Sequence, residues 1–187
     1  VKAMHHRVKG TRPDGKAYDA DEPEFFRWTY ASVVDGLAGR WVDENGGEVA
    51  DSVASAVAGA EFVITSLPAD RELETVADDL VPAIAAGAVW GDHSTTSARL
   101  ARAVGASVTA ADAHFLDAPV SGGVDGARKG VLTVMVGGDE GAFARAEPVV
   151  GSYAARMRLM GGPGAGQLTK MTNQICVVGL CQALAEG

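Results

Sequence analysis

From residue 60 onward, short apolar runs alternate with longer segments whose apolar residues return every three or four positions. Residues 61–67 (EFVITSL) are rich in β-branched and aromatic side chains and stop at Pro68, which predicts a strand; Asp70 is placed to cap the helix that follows. Residues 71–85 set Leu73, Val76, Ala77, Leu80, Val81 and Ile84 on a helical period that ends at Gly87. Strands are predicted over 88–92, 114–117, 131–136 and 156–160, and helices over 97–105 and 139–150. After the turn GGPGAG, residues 167–186 read as one long helix running to the end of the chain. Strands and helices alternating at these lengths predict an α/β fold with a parallel sheet. Ligands of such sheets bind at the carboxyl ends of the strands, so the loops after Leu67, Asp92 and Ala118 are expected to line one cleft.

The first part of the chain has a different texture. Residues 10–23 are turn chemistry around Pro13-Asp14-Gly15. Residues 24–45 then carry Phe25, Trp28, Ala31, Val34, Leu37, Ala38, Trp41 and Val42 at helical spacing, which predicts an amphipathic helix. No strand feeding a G-x-G-x-x-G loop is expected before residue 60.

Charge narrows the function. The net charge of −8 over 187 residues provides no basic face for nucleic acid. The early basic residues Lys2, His5, His6, Arg7, Lys9 and Arg12 are answered by Asp14, Asp19, Asp21, Glu22 and Glu24, as in a solvated segment. Cys176 and Cys181 lie five apart on a helix and cannot pair; they are expected to be small buried hydrophobes in a reducing compartment. With no apolar run near the ~18 residues of a membrane span and no recognisable leader, a soluble cytoplasmic protein without a metal site is expected.

The most distinctive stretch is HFLDAPVSGGVDGARKGVLTVMVGGDE, in which a strand runs into proline, a hydroxyl and two glycines. Ser121 and the backbone N–H groups of Gly122 and Gly123 suit a small anion. This stretch, together with GPGAGQLTKMTNQ, ITSLP (64–68) and GDHST (91–95), resembles the β-hydroxyacid dehydrogenases over about residues 37–187. These are the 3-hydroxyisobutyrate dehydrogenase and tartronate semialdehyde reductase group, related to 6-phosphogluconate dehydrogenase. The resemblance implies an incomplete Rossmann-like sheet and hydride exchange between NAD or NADP and a small hydroxy acid. It also implies that Leu67, Pro68 and Thr95 face the cofactor, that Ser121, Gly122, Gly123, Asn173 and Gln174 face the substrate, and that Lys170 is the catalytic base. A lysine desolvated among apolar neighbours can take the hydroxyl proton as hydride leaves. Asn173 and Gln174, three and four residues on, share its helix face.

The family's opening strand and G-x-G-x-M-G loop are not matched, and the family's all-helical C-terminal domain would follow an interdomain helix that here ends at Gly187. Residues 1–36, through MHHRVKGT, PDGKAYDA and DEPEFFRWTYA, resemble instead the latex-clearing-protein-like (MpaB-type) oxygenases. His5 and His6 are not taken as haem ligands, because so short a piece cannot enclose a haem. The expected organisation is therefore a helical or turn segment of foreign origin (1–36), a partial dinucleotide-binding domain (37–163) and the start of an interdomain helix (164–187). Weak NAD(P) binding, impaired activity and self-association through an open strand edge or helix face follow. The alternative is a non-catalytic fragment or fusion product.

Overall fold

The computed structural model describes residues 3–4, 26–28, 49–50 and 52–187. In chain order the strands are β1 (Ala3–Met4), β2 (Phe26–Trp28), β3 (Val49–Ala50), β4 (Phe62–Thr65), β5 (Val89–Asp92), β6 (His114–Asp117), β7 (Val120–Ser121), β8 (Leu132–Gly137) and β9 (Ala154–Gly161). The helices are α1 (Val53–Val57), α2 (Asp70–Leu80), α3 (Ala98–Ala110), α4 (Gly123–Arg128), α5 (Glu140–Val150) and α6 (Ala165–Glu186). β1 and β3 form a small antiparallel pair. The main sheet runs β2-β4-β5-β6-β8, with β7 and β9 also paired to β8.

β2, β4, β5 and β6 are mutually parallel, as the alternation of strands and helices predicts. β8 is not: it pairs antiparallel with β6 and β7, and parallel with β9. A parallel return needs a crossover of a dozen or more residues, and residues 122–131 are too few to supply one after β7.

Both faces of the sheet are covered. Leu73, Val76 and Leu80 of α2, Leu100, Val104 and Val108 of α3, and Val53 and Val57 of α1 bury Val63, Trp90 and Phe115 on one side. Trp90 meets Phe115 edge-on, with ring centroids 5.1 Å apart. Val89, Leu116, Val134 and Val136 pack beneath Ala142, Ala146 and Val150 of α5 on the other. Burial on both faces explains why these strands are continuous apolar runs rather than alternating ones.

Several sequence expectations are corrected. Phe26–Trp28, set by its spacing in an amphipathic helix, is a strand paired with β4, so a parallel strand does precede residue 60. The rest of that 24–45 span, together with His5 and His6, lies outside the described residues. Asp70 does not cap α2. Ala69 holds that position, and the Asp70 carboxylate reaches instead to the N–H and hydroxyl of Ser97, at 2.8 and 2.5 Å. Cys176 and Cys181 are exposed, not buried. Only Gly166, Gln167 and Lys170 of α6 are buried, and Ile175, Val178, Leu180 and Leu184 face outward. Among the described residues no helix is long and apolar enough to cross a membrane.

Candidate active site at the carboxyl edge of the sheet

β5 and β6 end side by side on two aspartates, Asp92 and Asp117, paired in register and both buried. Asp92 Oδ1 accepts from Thr65 Oγ1 at 2.7 Å and from Ser94 Oγ at 2.6 Å, while Thr65 Oγ1 itself accepts from Trp90 Nε1 at 2.9 Å. Ser94 Oγ in turn accepts from the Leu67 N–H at 2.8 Å. This relay ties the loop after β4 to the loop after β5. Asp92 Oδ2 is buried with no hydrogen-bond partner among the described residues. Burial without full compensation pushes the Asp92 carboxyl up to about 6, against the hydrogen bonds from Ser94 and Thr65 that favour its charge.

Asp117 organises the start of α6. Its Oδ1 accepts from the Gly164 N–H at 2.7 Å and its Oδ2 from the Gln167 N–H at 2.9 Å. Burial raises its carboxyl above the usual range, opposed by these backbone donors. The glycines of GPGAGQ let the helix come so close. A Cβ at Gly166 would collide with the carbonyl oxygens of Asp117 and Met135. One helical turn beyond Gln167 stands Lys170, 7% exposed, its amine pushed below the usual lysine range by burial. Asn173, three residues further, is half-buried, and its Oδ1 is buried without a partner among the described residues.

The Gln167 side chain is fully buried and binds the loop after β5 at two points. Its Nε2 donates to the Ser94 carbonyl at 2.8 Å and its Oε1 accepts from the Thr96 N–H at 3.0 Å. Thr95, between them, is exposed. The 118–123 stretch leaves from the same edge. His93 lies between Ala118 and Tyr153, its Nδ1 2.6 Å from the Ala118 carbonyl and its Nε2 2.6 Å from the Tyr153 hydroxyl. A carbonyl only accepts, so Nδ1 carries the proton, and Nε2 accepts from Tyr153. Burial lowers His93 to about 4, which keeps the ring neutral. Ser121 pairs with Thr133 of β8, and Gly122 and Gly123 follow with φ of 128° and 59°, values that side chains rarely adopt.

The two buried titrations oppose each other. His93, with its folded pKa below the ordinary 6.5, stabilises the fold above that value and loses this contribution as pH falls toward 4. Asp92, raised from 3.8 to about 6, stabilises the fold below 3.8 and loses that contribution as pH rises through 6. Each change is worth about 3 kcal/mol. Asp92→Asn removes the second alone. Its stability relative to the unsubstituted protein is therefore expected to fall by about 3 kcal/mol on acidification from pH ~6.5 to ~4, as read from denaturant unfolding at a series of pH values.

Leu67, Thr95 and Lys170 are thus joined through Ser94 and Gln167, while Ser121, Gly122 and Gly123 leave the same edge four to six residues after Asp117. Leu67 is buried; Pro68, Gly122, Gly123 and Gln174 are exposed. Thr65, Asp92, Ser94, Asp117 and Gln167 were not singled out from sequence. The buried oxygens Asp92 Oδ2, Thr96 Oγ1 and Asn173 Oδ1 have no hydrogen-bond partner among the described residues. Among the described residues no cluster of His, Cys, Asp and Glu could hold a metal ion.

Residues 32–179 match the family described as the NAD binding domain of 6-phosphogluconate dehydrogenase. Residues 1–57 match a second family, the catalytic domain of ER-bound oxygenase mpaB/B'/rubber oxygenase. An uncharacterized oxidoreductase of Shewanella frigidimarina is 45% identical over 80% of the chain and 53% of its own length. A 3-hydroxyisobutyrate dehydrogenase of Pseudomonas aeruginosa is 40% identical over 77% of the chain and 51% of its own. The structure of Mycobacterium tuberculosis 3-hydroxyisobutyrate dehydrogenase with L-serine superposes with a TM-score of 0.71 at 39% identity, covering 73% of this chain and 47% of that one. The chain spans about half the length of the curated relatives it matches.

Proposed function

This chain belongs to the family of the NAD-binding domain of 6-phosphogluconate dehydrogenase, and from that premise we propose that it is an NAD- or NADP-dependent oxidoreductase acting on a small 3-hydroxy carboxylate. The observation that carries the reading is Lys170, a desolvated amine on a helix whose first turn is bonded to both the Asp117 and Thr95 segments. A nicotinamide held against Leu67, Pro68 and Thr95 would supply the hydride acceptor. Ser121 and the backbone of Gly122 and Gly123 hold the substrate carboxylate, with Asn173 and Gln174 beside it. Lys170 Nζ takes the hydroxyl proton as the carbinol hydrogen departs with its electron pair, leaving a carbonyl; in reverse it returns the proton. Serine and 3-hydroxyisobutyrate, named with the relatives, share the group HO–CH2–CH–COO⁻ that this arrangement addresses.

A second reading, a fragment or fusion product without independent activity, is favoured by the sequence ahead of β4, which contains no G-x-G-x-x-G. Under it, 1–36 is a segment of foreign origin, 37–163 a partial dinucleotide-binding domain and 164–187 the start of an interdomain helix, with contacts between copies through an uncovered strand edge or the apolar face of α6. Without that loop the pyrophosphate lacks its backbone donors, and each tenfold loss of affinity corresponds to about 1.4 kcal/mol. Calorimetric titration with NAD and NADP is expected to give dissociation constants well above the micromolar range, with oxidation of 3-hydroxyisobutyrate or L-serine visible only at high cofactor concentration. Micromolar affinity would remove the second reading, and absence of turnover at saturating cofactor would remove the first.

A further inference from the structure

The loop after β5 has an uneven exposure that local sequence does not explain. His93, Ser94 and Thr96 are buried at 8, 2 and 5%, while Thr95 in their midst is exposed. Backbone contacts account for it. Gln167 donates to the carbonyl before Thr95 and accepts from the N–H after it, as a neighbouring strand would across a ladder. An amide doing this fixes both peptide planes flanking Thr95 and turns its side chain outward. The same residue is held from behind, because its own N–H donates to Asp117 Oδ2. Leucine of similar size would fill the space but make neither loop bond.

We propose that Gln167 is a positioning residue for hydride transfer: it sets Thr95, on the nicotinamide side, in register with Lys170, one turn further along α6. This rests on the oxidoreductase reading above. The Leu67 side of the cofactor is held at the Ser94 hydroxyl, which Asp92 fixes, whereas Gln167 meets Ser94 only at its carbonyl.

That separation provides the test. Two variants of the full chain are compared with the unsubstituted protein: Gln167→Leu, which deletes both bonds, and Gln167→Glu, which keeps the shape and the Thr96 contact but turns an acceptor toward the Ser94 carbonyl. Misplacing a reacting group by about 1 Å costs on the order of a hundredfold. In single turnover at saturating NAD, both variants are expected to slow hydride transfer tenfold to a hundredfold, with KM for the hydroxy acid within about twofold. In ¹⁵N-labelled protein, NAD is expected to shift the Thr95 amide resonance in the unsubstituted chain. In the variants that shift is lost, while the Leu67 shift persists. A rate and a Thr95 shift that survive in Gln167→Glu overturn the inference while leaving the oxidoreductase reading intact. If the unsubstituted chain binds NAD but does not turn over, that reading falls, and the resonance comparison alone decides the role of Gln167. Absence of any Thr95 shift in the unsubstituted chain overturns both.

Discussion

Lys170→Met is expected to lower hydride transfer by about 10²–10⁴-fold, the usual contribution of a positioned proton acceptor. The same substitution is expected to leave the fold as stable as before, or more so. Methionine fills the same volume, and burial disfavours the lysine charge, as its lowered pKa records. Lys170→Arg separates proton transfer from simple charge. Arginine keeps a cation but does not deprotonate in proteins, so it too should lose the rate. A proton-transfer role also fixes the pH profile. Because the amine is depressed, the rising limb for alcohol oxidation lies below the ordinary lysine range. Single-turnover appearance of the reduced nicotinamide, measured across pH for the three proteins, checks all of this. An arginine variant with the unsubstituted rate would assign Lys170 an electrostatic role and remove it as the base.

The sequence made the parallel part of this fold legible because its strands are buried on both faces. Runs such as FVIT and VWGD leave no other reading when amphipathic helices separate them. It failed at Phe26–Trp28, where three aromatic and basic residues pair with β4. Helical spacing and a three-residue strand look alike at that length, and only the presence of a partner strand distinguishes them. The antiparallel pairing of β8 was hidden for a related reason: the connection is too short for a crossover only once the two-residue strand β7 is known, and a strand that short has no pattern of its own.

The candidate residues Lys170, Ser121, Gly122 and Gly123 were legible through the resemblance carried by GPGAGQLTKMTNQ and DAPVSGG; taken alone they read as a solvated lysine and a turn. The residues that hold them in place were not. Asp92, Asp117 and Gln167 are polar residues beside turns, where polar residues are ordinary, and their importance appears only when burial and hydrogen-bond partners are known. The pattern of positive φ at Gly122 and Gly123 likewise separates a required glycine from a convenient one.

Asp117→Ala is expected to be the most destabilising substitution at the site, at roughly 3 kcal/mol. Helix α6 begins at Ala165, and Gly164 before it offers no side-chain cap. The N–H groups of Gly164 and Gln167 both end on the Asp117 carboxylate, 47 and 50 residues away in sequence. Alanine leaves these two buried donors unmatched, at about 1–3 kcal/mol each, and removes a negative charge from the positive end of the helix. Part of the loss is returned, because burial had already raised the energy of that carboxylate. Asparagine should rescue little. Its oxygen can serve one donor, but its amide nitrogen then faces the other, two donors in opposition. Denaturant unfolding ranks the three proteins. The consequence extends to chemistry, since the first turn of α6 carries Gln167 and leads to Lys170: a frayed start moves the amine and loosens the Thr95 loop together. Hydride transfer in Asp117→Ala is therefore expected to fall more than the population of unfolded molecules accounts for. A rate that tracks the folded fraction alone would confine Asp117 to a structural role.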